Sequence, residues 1–409
     1  MATSEIEDQV RAQYEQYPYP LRSPDEDAIQ VARDLAPLES LRIIQHFGFG
    51  GQLPDRPLRI LVAGGGTGDA TLQLGWQLQG TPHGGEIVHL DLSEAAIEVA
   101  LQRVERMGVR NVTVHRGSLL EATPEDLGQF DYINCSGVLH HLPDPWAGAE
   151  ALRGLLSDQG VMGIMVYGRY GRNGLYSGQA LLRRLTSRYS LADRVAIARR
   201  VLPQLPAQHP LASSRMRFTE RLSDNEIVDR FLHSCDRAFT VPEVVGWMGD
   251  TDMRVIDFVP GIRYAAALLV ADPWVLKQLA GMPLFDRYAV AELWAYHLDR
   301  HSFFAVRDDN PIAPLEPGPD VVATVREPTV LMEQLQNTKA FDLTSGGSVF
   351  RVPLAPTDLH LRILGELDGK RTLGTIAAAM QVSWARFLDV FRDVYTPLQG
   401  GHLTLSTRR

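Results

Sequence analysis

Four glycines lie where an apolar run, Leu58 to Ala63, gives way to a segment with helical spacing. They are Gly64, Gly65, Gly66 and Gly68. Glycine lets a ligand approach the backbone closely, and the free N–H groups at a helix start favour a carboxylate or a phosphate. A dinucleotide fingerprint starting at Gly64 would place its third glycine at position 69, where Asp69 suits a pyrophosphate poorly. No Gly-Lys-Ser/Thr ending follows, and this spacing excludes a P-loop.

Asp91 ends the next apolar run, in Val88-His-Leu-Asp-Leu-Ser93. A carboxylate at the end of a second strand can accept hydrogen bonds from both hydroxyls of a ribose. The alternative is a helix N-cap, for which Ser93 is better placed than Asp91. The position of Asp91 therefore favours ribose binding.

Strands and helices alternate around these residues. The predicted strands are Leu58–Ala63, Glu86–Leu90, Val112–His115, Phe130–Cys135 and Val161–Val166, and the predicted helices are Thr71–Leu78, Glu94–Arg106 and Ala147–Leu156. Such alternation predicts a parallel sheet with right-handed crossovers. In these folds ligands bind at the carboxyl ends of the strands. The glycines and Asp91 both fall at that edge.

The pattern breaks after the fifth strand. About 85 residues of Arg-rich, Pro-punctuated helical sequence follow, which indicates an insertion. Strand signals resume at Met253–Val259 and Tyr264–Val270, and Pro260-Gly261 between them predicts a hairpin that closes the sheet. A linker rich in proline, Asn310 to Pro319, marks a further boundary.

The last 90 or so residues are expected to form a separate unit. Three short helices, Asp358–Leu367, Thr372–Met380 and Ser383–Tyr395, precede a terminal strand, Gly400–Leu405.

The predicted domains are an N-terminal helical and aromatic lid segment (1–57), a core (58–167 and 253–272), a helical cap insertion (168–252), a helical extension with the linker (273–319) and a winged-helix-like domain (320–409).

The order of these motifs resembles the class I S-adenosylmethionine-dependent methyltransferases. The resemblance rests on the glycine turn, Asp91, Phe130-Asp-Tyr-Ile-Asn-Cys135 and Ser136-Gly-Val-Leu-His-His-Leu-Pro-Asp-Pro145. It implies a Rossmann-like, seven-stranded, mostly parallel sheet with an antiparallel last strand. More narrowly, Gln13-Tyr-Glu-Gln-Tyr-Pro-Tyr-Pro20 looks like the methyltransferase module that some bacteria fuse to tetratricopeptide repeats, although this chain has no such repeats.

The resemblance implies S-adenosylmethionine as the cofactor. The residues expected to bind it are Gly64, Gly66, Gly68, Asp69, Asp91, Leu92, Ser118, Ser136, Tyr14 and Tyr19. Among them, Asp91 would hold the ribose, and Leu92 and Ser118 would lie at the adenine. The chain departs from the family at Val62, where many members have an acid, and at Ser118, where Asp is more usual. Tyr14, Tyr17 and Tyr19 either fold over the donor and face the substrate or simply pack the N-terminal arm.

His140, His141 and Tyr17 are the candidate catalytic residues. A neutral imidazole at this edge could take a proton from an acceptor, whereas one of two adjacent histidines often only bonds a loop backbone. Methyl transfer is an in-line displacement, so positioning can supply most of the acceleration without a base. Tyr167, Arg169 and Tyr170, together with Arg172, could line the acceptor pocket, with a solvated glycine-rich loop as the alternative.

Composition bounds the class of protein. The 409 residues are 45% hydrophobic and 22% charged, as in folded globular proteins. A net charge of −9 gives no general attraction to nucleic acid, and the arginines between Arg183 and Arg200 are expected to solvate a helix face. Two distant cysteines, Cys135 and Cys235, predict neither a disulfide framework nor a zinc site. No signal peptide or membrane span is recognised, so a cytoplasmic location is expected.

The sequence thus predicts an S-adenosylmethionine-dependent methyltransferase that acts on an O, N or S nucleophile of a small molecule. The alternatives are a protein or peptide methyltransferase that uses the C-terminal domain for recognition, an NAD(P)-dependent oxidoreductase, and a non-catalytic cofactor-binding module. No metal, nucleic-acid or membrane partner is expected. The acceptor atom, the use of a base and a possible homodimer are left open.

Overall fold

The computed structural model describes residues 3–24, 36–213, 222–338, 341–345, 348–352 and 357–407. Parts of the predicted lid segment, insertion and C-terminal domain lie outside these ranges. The described helices before and within the core are Thr3–Gln16, Leu41–Gly48, Asp69–Gln79, Glu94–Arg106, Pro124–Leu127 and Pro145–Leu155.

A mostly parallel sheet forms the centre of the molecule. Its strands are β1 (Leu58–Ala63), β2 (Gly85–Asp91), β3 (Val112–Arg116), β4 (Phe130–Ser136), β5 (Leu156–Gly168), β6 (Ala238–Phe239), β7 (Met253–Phe258) and β8 (Arg300–Arg307). The order is β3-β2-β1-β4-β5-β8-β7, and the two-residue β6 pairs with β5. The pairs among β1 to β5 are parallel, whereas β8 is antiparallel to both of its neighbours. The predicted Rossmann-like class, with an antiparallel last strand, is confirmed.

The predicted closing hairpin is wrong. Met253 to Phe258 does form a strand, but its partner is Arg300–Arg307, which lies in the segment predicted as a helical extension. Residues 264–270 fall in short 3₁₀ turns, Gly261–Tyr264 and Ala266–Leu268. The chain therefore leaves the sheet after β7, forms the helices Pro273–Ala280 and Leu284–Ala295, and returns to insert β8 between β5 and β7.

Apolar side chains on both faces of the sheet hold the core together. Ile133, Ile164 and Phe303 are among the buried residues of one cluster, and Ile60, Tyr132 and Phe304 are among those of another. Runs that are apolar on both faces are typical of strands covered on both sides by helices. The helix Glu94–Arg106 begins where Ser93 accepts a hydrogen bond from the N–H of Ala96, which confirms Ser93 as the N-cap.

The segment after β5 is mainly helical. Its described helices are Asn173–Thr186, Leu191–Val201, Pro210–Ser213, Asp224–Ile227 and Val241–Asp250, with a π-helical turn at Val228–Leu232. Leu175, Leu182, Ile227 and Phe231 belong to a buried cluster of their own. These helices thus form a small layer with a separate apolar centre beside the sheet edge.

The C-terminal residues pack around another buried cluster. Its described helices are Pro328–Thr338, Asp358–Glu366, Leu373–Ala379 and Trp384–Leu398, and its strands are β9 (Val321–Val325), β10 (Phe341–Ser345), β11 (Ser348–Val352), β12 (Asp368–Thr372) and β13 (Leu403–Thr407). β12, β9 and β13 form an antiparallel sheet, and β10 pairs with β11. The three predicted helices and the terminal strand are present, and the winged-helix comparison stays a prediction. Within the part of the chain that the structure describes, no helix has the length and apolar character needed to span a membrane.

Candidate active site

A cavity of about 580 Å³ lies at the carboxyl edge of the sheet. Its walls come from the N-terminal segment, from the loops after β1, β2, β4 and β5, and from the helical insertion. The predicted site residues that line it are Tyr14, Tyr19, Gly64, Gly66, Asp69, Asp91, Leu92, Ser118, Ser136, His141 and Tyr167. This is the edge at which folds of this class bind ligands.

The glycine turn and Asp91 are joined directly. Oδ2 of Asp91 accepts a hydrogen bond of 2.7 Å from the N–H of Gly66, and Oδ1 accepts one of 2.8 Å from the N–H of Ser93. Burial raises the pKa of Asp91, and these backbone donors oppose the rise. Each carboxylate oxygen has a second lone pair, so Asp91 can still accept hydrogen bonds from a ligand in the cavity.

The N-terminal segment lies over this turn. Gly66 has φ +52°, and a Cβ at this position would stand 2.6 Å from the carbonyl oxygen of Tyr19. Thr67 donates a hydrogen bond of 2.8 Å to the carbonyl of Pro20. Further along the same edge, the carboxylate of Glu15 accepts hydrogen bonds from the N–H groups at the start of Glu94–Arg106. The segment is therefore fastened to the turn at several points.

Asp69 lines the cavity, but its carboxylate is already engaged by two arginines. Arg22 donates to both oxygens at 2.8 to 3.0 Å, and Arg103 donates to Oδ1 at 2.7 Å. Burial raises the pKa of Asp69, and the two guanidinium groups outweigh it and hold the pKa below the usual value. Asp69 thus anchors the N-terminal segment at the wall of the cavity, and its predicted part in cofactor binding stays a prediction.

Gly68 has a packing role and does not line the cavity. Its φ is +95°, and a Cβ there would lie 2.9 Å from the Cβ of Ala100. Glycine at this position allows the helices Asp69–Gln79 and Glu94–Arg106 to approach closely. Its assignment to cofactor binding is corrected accordingly.

The loops after β2 and β3 form another part of the cavity wall, through Leu92, Ser118 and Leu119. The hydroxyl of Ser118 donates a hydrogen bond of 2.7 Å to the carboxylate of Glu7 and accepts one from the N–H of Leu120. Asn134 and Ser136, at the end of β4, also line the cavity. The sequence interpretation quoted Asn134 without assigning it a role.

The two histidines after β4 have different surroundings. Nδ1 of His141 lies 2.8 Å from the carbonyl of Cys235, so this nitrogen carries the proton and donates. In the neutral ring, Nε2 is then an acceptor beside the cavity. His140 is fully buried and packs on Tyr167 with ring centroids 3.8 Å apart. Burial lowers the pKa of His140 well below its usual value, and the side chain does not line the cavity, which corrects its candidacy as a base.

The tyrosines of the N-terminal segment also differ in their surroundings. Tyr14 lines the cavity, and its hydroxyl lies 3.1 Å from Nε2 of His233 in the insertion. Burial, together with the nearby Asp229, raises the pKa of Tyr14 well above the usual value. Tyr17 instead packs against the apolar cluster of the insertion, outside the cavity, and this corrects its predicted catalytic position.

Of the residues predicted to line an acceptor pocket, Tyr167 and Arg172 line the cavity. The guanidinium of Arg172 lies over the Tyr167 ring at 3.4 Å and forms an ion pair with the buried Asp236. Arg169 forms an ion pair of 2.6 Å with Glu243, and Tyr170 packs against Tyr296. Both lie outside the cavity, so their predicted contact with the acceptor is corrected.

Several lining residues were missed by the sequence interpretation. Asp229, on the turn Val228–Leu232, is 3% exposed. Glu39 lies near Asp69, and burial followed by that neighbouring carboxylate raises the pKa of Glu39 to about 8. Arg300 comes from the start of β8. No periodicity or motif marks Asp229 or Glu39, because both reach the site only through the packing of distant segments.

Comparisons with known proteins agree with this geometry. A family described as a methyltransferase domain matches residues 61–162. An uncharacterized protein of Synechococcus, syc1184_c, is 30% identical over 261 residues, which cover 62% of this chain and 61% of the relative. The ubiquinone biosynthesis O-methyltransferase of Acinetobacter baylyi is 29% identical over 77 residues, 19% of this chain and 32% of the enzyme.

Among solved structures, PKMT2 from Rickettsia typhi in complex with AdoHcy superposes with a TM-score of 0.64 at 15% identity. The superposition covers 92% of this chain and 76% of PKMT2. This likeness shows a shared fold that includes the C-terminal part. The chain spans about three fifths of the length of the Synechococcus relative and about a third of the Acinetobacter enzyme.

Residues 61–162 of the chain thus match a methyltransferase domain. The cofactor of this methyltransferase domain is S-adenosylmethionine. The family match and the cofactor leave the NAD(P)-dependent oxidoreductase without support.

The residues of the cavity fit that cofactor. Asp91 turns a carboxylate to the cavity beside Gly66, where any side chain would collide with the N-terminal segment. Asp91 would hold the ribose, Leu92 and Leu119 would contact the adenine, and Gly64 with Asn134 would follow the methionine part. Across the described ranges, no three His, Cys, Asp or Glu side chains come together as the ligands of a metal ion.

Proposed function

We propose that this chain transfers a methyl group from S-adenosylmethionine to a nucleophile of a small molecule held in the cavity. One observation carries the proposal: Asp91, which is hydrogen-bonded to the glycine turn, lines the same cavity as residues of the helical insertion. Asp91 and the glycine turn suit a nucleoside, and the insertion supplies polar groups to an acceptor. The ubiquinone biosynthesis O-methyltransferase of Acinetobacter baylyi, although similar over only 77 residues, supports a small acceptor.

The residues of this chain would mainly position the two reactants. S-adenosylmethionine, when bound, supplies an electrophilic methyl carbon on a sulfonium. Tyr14 and Tyr167 place aromatic rings on the wall of the cavity, and the N-terminal segment covers the glycine turn. Holding the nucleophile in line with the methyl carbon lowers the entropic part of the barrier.

His141 is the residue best placed to remove a proton. Its Nδ1–H is committed to the carbonyl of Cys235, and its ring stacks on that of His233 with centroids 3.7 Å apart. Both contacts fix the orientation of the imidazole, so that Nε2 can accept the proton that the acceptor gives up.

A protein or peptide acceptor is the second candidate. It is favoured by the fold shared with PKMT2, which extends over 92% of this chain and so includes the C-terminal sheet and helices. Against it, no described residue beyond Arg300 lines the cavity. The C-terminal part could therefore recognise a protein acceptor only at a distance from the reaction centre.

Calorimetric titration with S-adenosylhomocysteine tests the proposal, with NAD as the control ligand. We expect saturable binding of S-adenosylhomocysteine in the micromolar range and none of NAD. Binding of NAD alone would overturn the proposal. If the cofactor binds, incubation with S-adenosylmethionine and a small-molecule extract should release S-adenosylhomocysteine, whereas binding without turnover on any acceptor would indicate a non-catalytic module.

A further inference from the structure

Asp229 is a buried carboxylate without an ion-pair partner among the described residues. It is 3% exposed and lies on the turn Val228–Leu232 of the insertion, where it lines the cavity. Its Oδ2 accepts one long hydrogen bond, 3.3 Å, from the hydroxyl of Tyr167. No described group donates to Oδ1, and this atom is not sealed off from the cavity. A carboxylate in this state has a free acceptor directed at a ligand.

Two neighbouring acidic side chains, Asp236 and Asp299, already form ion pairs with arginines. Asp236 pairs with Arg172 at 3.4 Å, with both side chains at most 3% exposed, and Asp299 pairs with Arg263 at 2.6 Å. Burial raises the pKa of Asp229, whereas His141 and Arg172 attract its carboxylate electrostatically and oppose this rise. The guanidinium of Arg172 is bound to Asp236 and stacked on Tyr167. An unpaired carboxylate is costly to bury unless a cation joins it.

Aromatic rings stand beside this carboxylate. Tyr14, Tyr19 and Tyr167 line the same cavity as Asp229 and lie within electrostatic range of its carboxylate. Burial, with a contribution from Asp229, raises the pKa of each phenol, so all three stay neutral near pH 7. Neutral aromatic faces around a carboxylate form an environment that favours a cation.

We propose that the acceptor is an amine that enters the cavity as an ammonium ion and is held by Asp229. This inference rests on the proposed function and names its substrate class. A hydroxyl or thiol acceptor would bring no positive charge, and Asp229 would then depend on His141 and on Arg172, whose guanidinium is already bound to Asp236. An ammonium donates to Oδ1 and packs against the ring of Tyr14.

The residues present account for the proton that the ammonium must lose before methyl transfer. The ammonium gives one proton to Nε2 of His141, and the nitrogen lone pair is freed. The nitrogen then forms a bond to the methyl carbon while the carbon–sulfur bond breaks, and the electron pair of that bond passes to sulfur. The product is a methylated ammonium, still a cation opposite Asp229, and His141 releases its proton to solvent as the product leaves.

Binding of a charged probe and of its neutral counterpart tests the inference without turnover. The full chain is saturated with S-adenosylhomocysteine and titrated in a calorimeter with n-butylamine and with 1-butanol, which differ mainly in charge. We expect n-butylamine to bind at least tenfold more tightly. Equal binding of the two probes would overturn the inference in the unaltered protein, whatever the behaviour of any variant.

Asp229→Asn keeps the shape of the side chain and removes its charge. We expect this variant to lose most of the preference for n-butylamine while its affinity for S-adenosylhomocysteine stays within about twofold. Asp224→Asn is the matched control, because Asp224 is half exposed on the same segment, pairs with Arg199 and does not line the cavity. A preference that survives in Asp229→Asn would exclude Asp229 as the ammonium site.

Two further binding measurements distinguish a site for the donor from a site for the acceptor, and a polypeptide acceptor from a small molecule. Sinefungin carries an amine near the position of the donor methyl group. If Asp229→Asn weakens sinefungin but not n-butylamine, the carboxylate serves the charge of the donor and the inference is wrong. A short peptide with a central lysine that binds more tightly than n-butylamine would assign the amine to a polypeptide, and weaker binding would assign it to a small molecule. Failure of S-adenosylhomocysteine to bind at all would instead refute the proposed function.

Discussion

The hydroxyl of Tyr14 lies 3.1 Å from Nε2 of His233, which joins the N-terminal segment to the insertion across the cavity. Tyr14→Phe removes this hydrogen bond and keeps the ring. Because one such bond is worth about 1 kcal/mol, we expect S-adenosylhomocysteine to bind about fivefold more weakly. Calorimetry measures the change. Tyr17→Phe is the control, since Tyr17 packs outside the cavity, and an equal effect of both substitutions would contradict the prediction.

Asp91→Ala should weaken cofactor binding much more strongly. The substitution removes charge-assisted hydrogen bonds to the ribose, so we expect a loss of roughly 1.5–3 kcal/mol, or about ten- to 150-fold in the dissociation constant. It also frees the N–H groups of Gly66 and Ser93, so thermal melting must show that the variant is folded. Asp158→Ala, on an exposed stretch of β5, provides the control. Unchanged affinity in a folded variant would remove Asp91 from the site.

His141→Gln tests the proton acceptor. Loss of a positioned base lowers kcat by about a hundredfold or more, whereas binding of S-adenosylhomocysteine should change by less than about twofold. The rate is measured as S-adenosylhomocysteine released with the best amine acceptor. His209→Gln alters another histidine of the insertion, one that does not line the cavity. A rate that is the same in both variants would show that positioning alone supplies the acceleration.

Acid should destabilise the fold through His46. This ring is fully buried between the core and the C-terminal part, where Nε2 lies 3.2 Å from the carbonyl of Leu315 and Nδ1 accepts from the N–H of Leu405. Burial lowers the pKa of His46 from 6.5 to about 4. The unfolded chain therefore binds a proton below about pH 6.5 that the folded chain does not bind until about pH 4.

The free energy of unfolding should consequently be unaffected by His46 above pH 6.5 and fall by up to about 3 kcal/mol as the pH drops to 4. Urea unfolding at pH 7.0 and pH 5.0 measures this loss. His46→Gln should show a smaller difference between the two pH values, and His83→Gln, an exposed histidine paired with Asp55, should behave as the unaltered chain does. The same acid sensitivity in His46→Gln would assign the effect to other groups.

Sequence patterns predicted those helices and strands whose formation depends on residues close together in the chain. Glu94–Arg106 was predicted with its observed bounds, because Ser93 caps the helix and the apolar spacing is regular. The strand β8 was missed, since Arg300 to Arg307 becomes a strand only through pairing with β5, which ends at Gly168. The same limit applies to the site. Gly66 and Asp91 belong to a local motif, whereas Asp229 enters the cavity only when the insertion packs on the sheet.

The late position of β8 in the chain sets an order of events during synthesis. β5 ends at Gly168, and its antiparallel neighbour begins at Arg300, so the ribosome must add more than a hundred residues while one side of β5 has no final partner. Unpaired strand edges favour association with other chains, and distant pairing slows folding. A nascent chain that stops before Arg300 should therefore be recognised by chaperones or aggregate, although its cofactor-binding motif has already been translated.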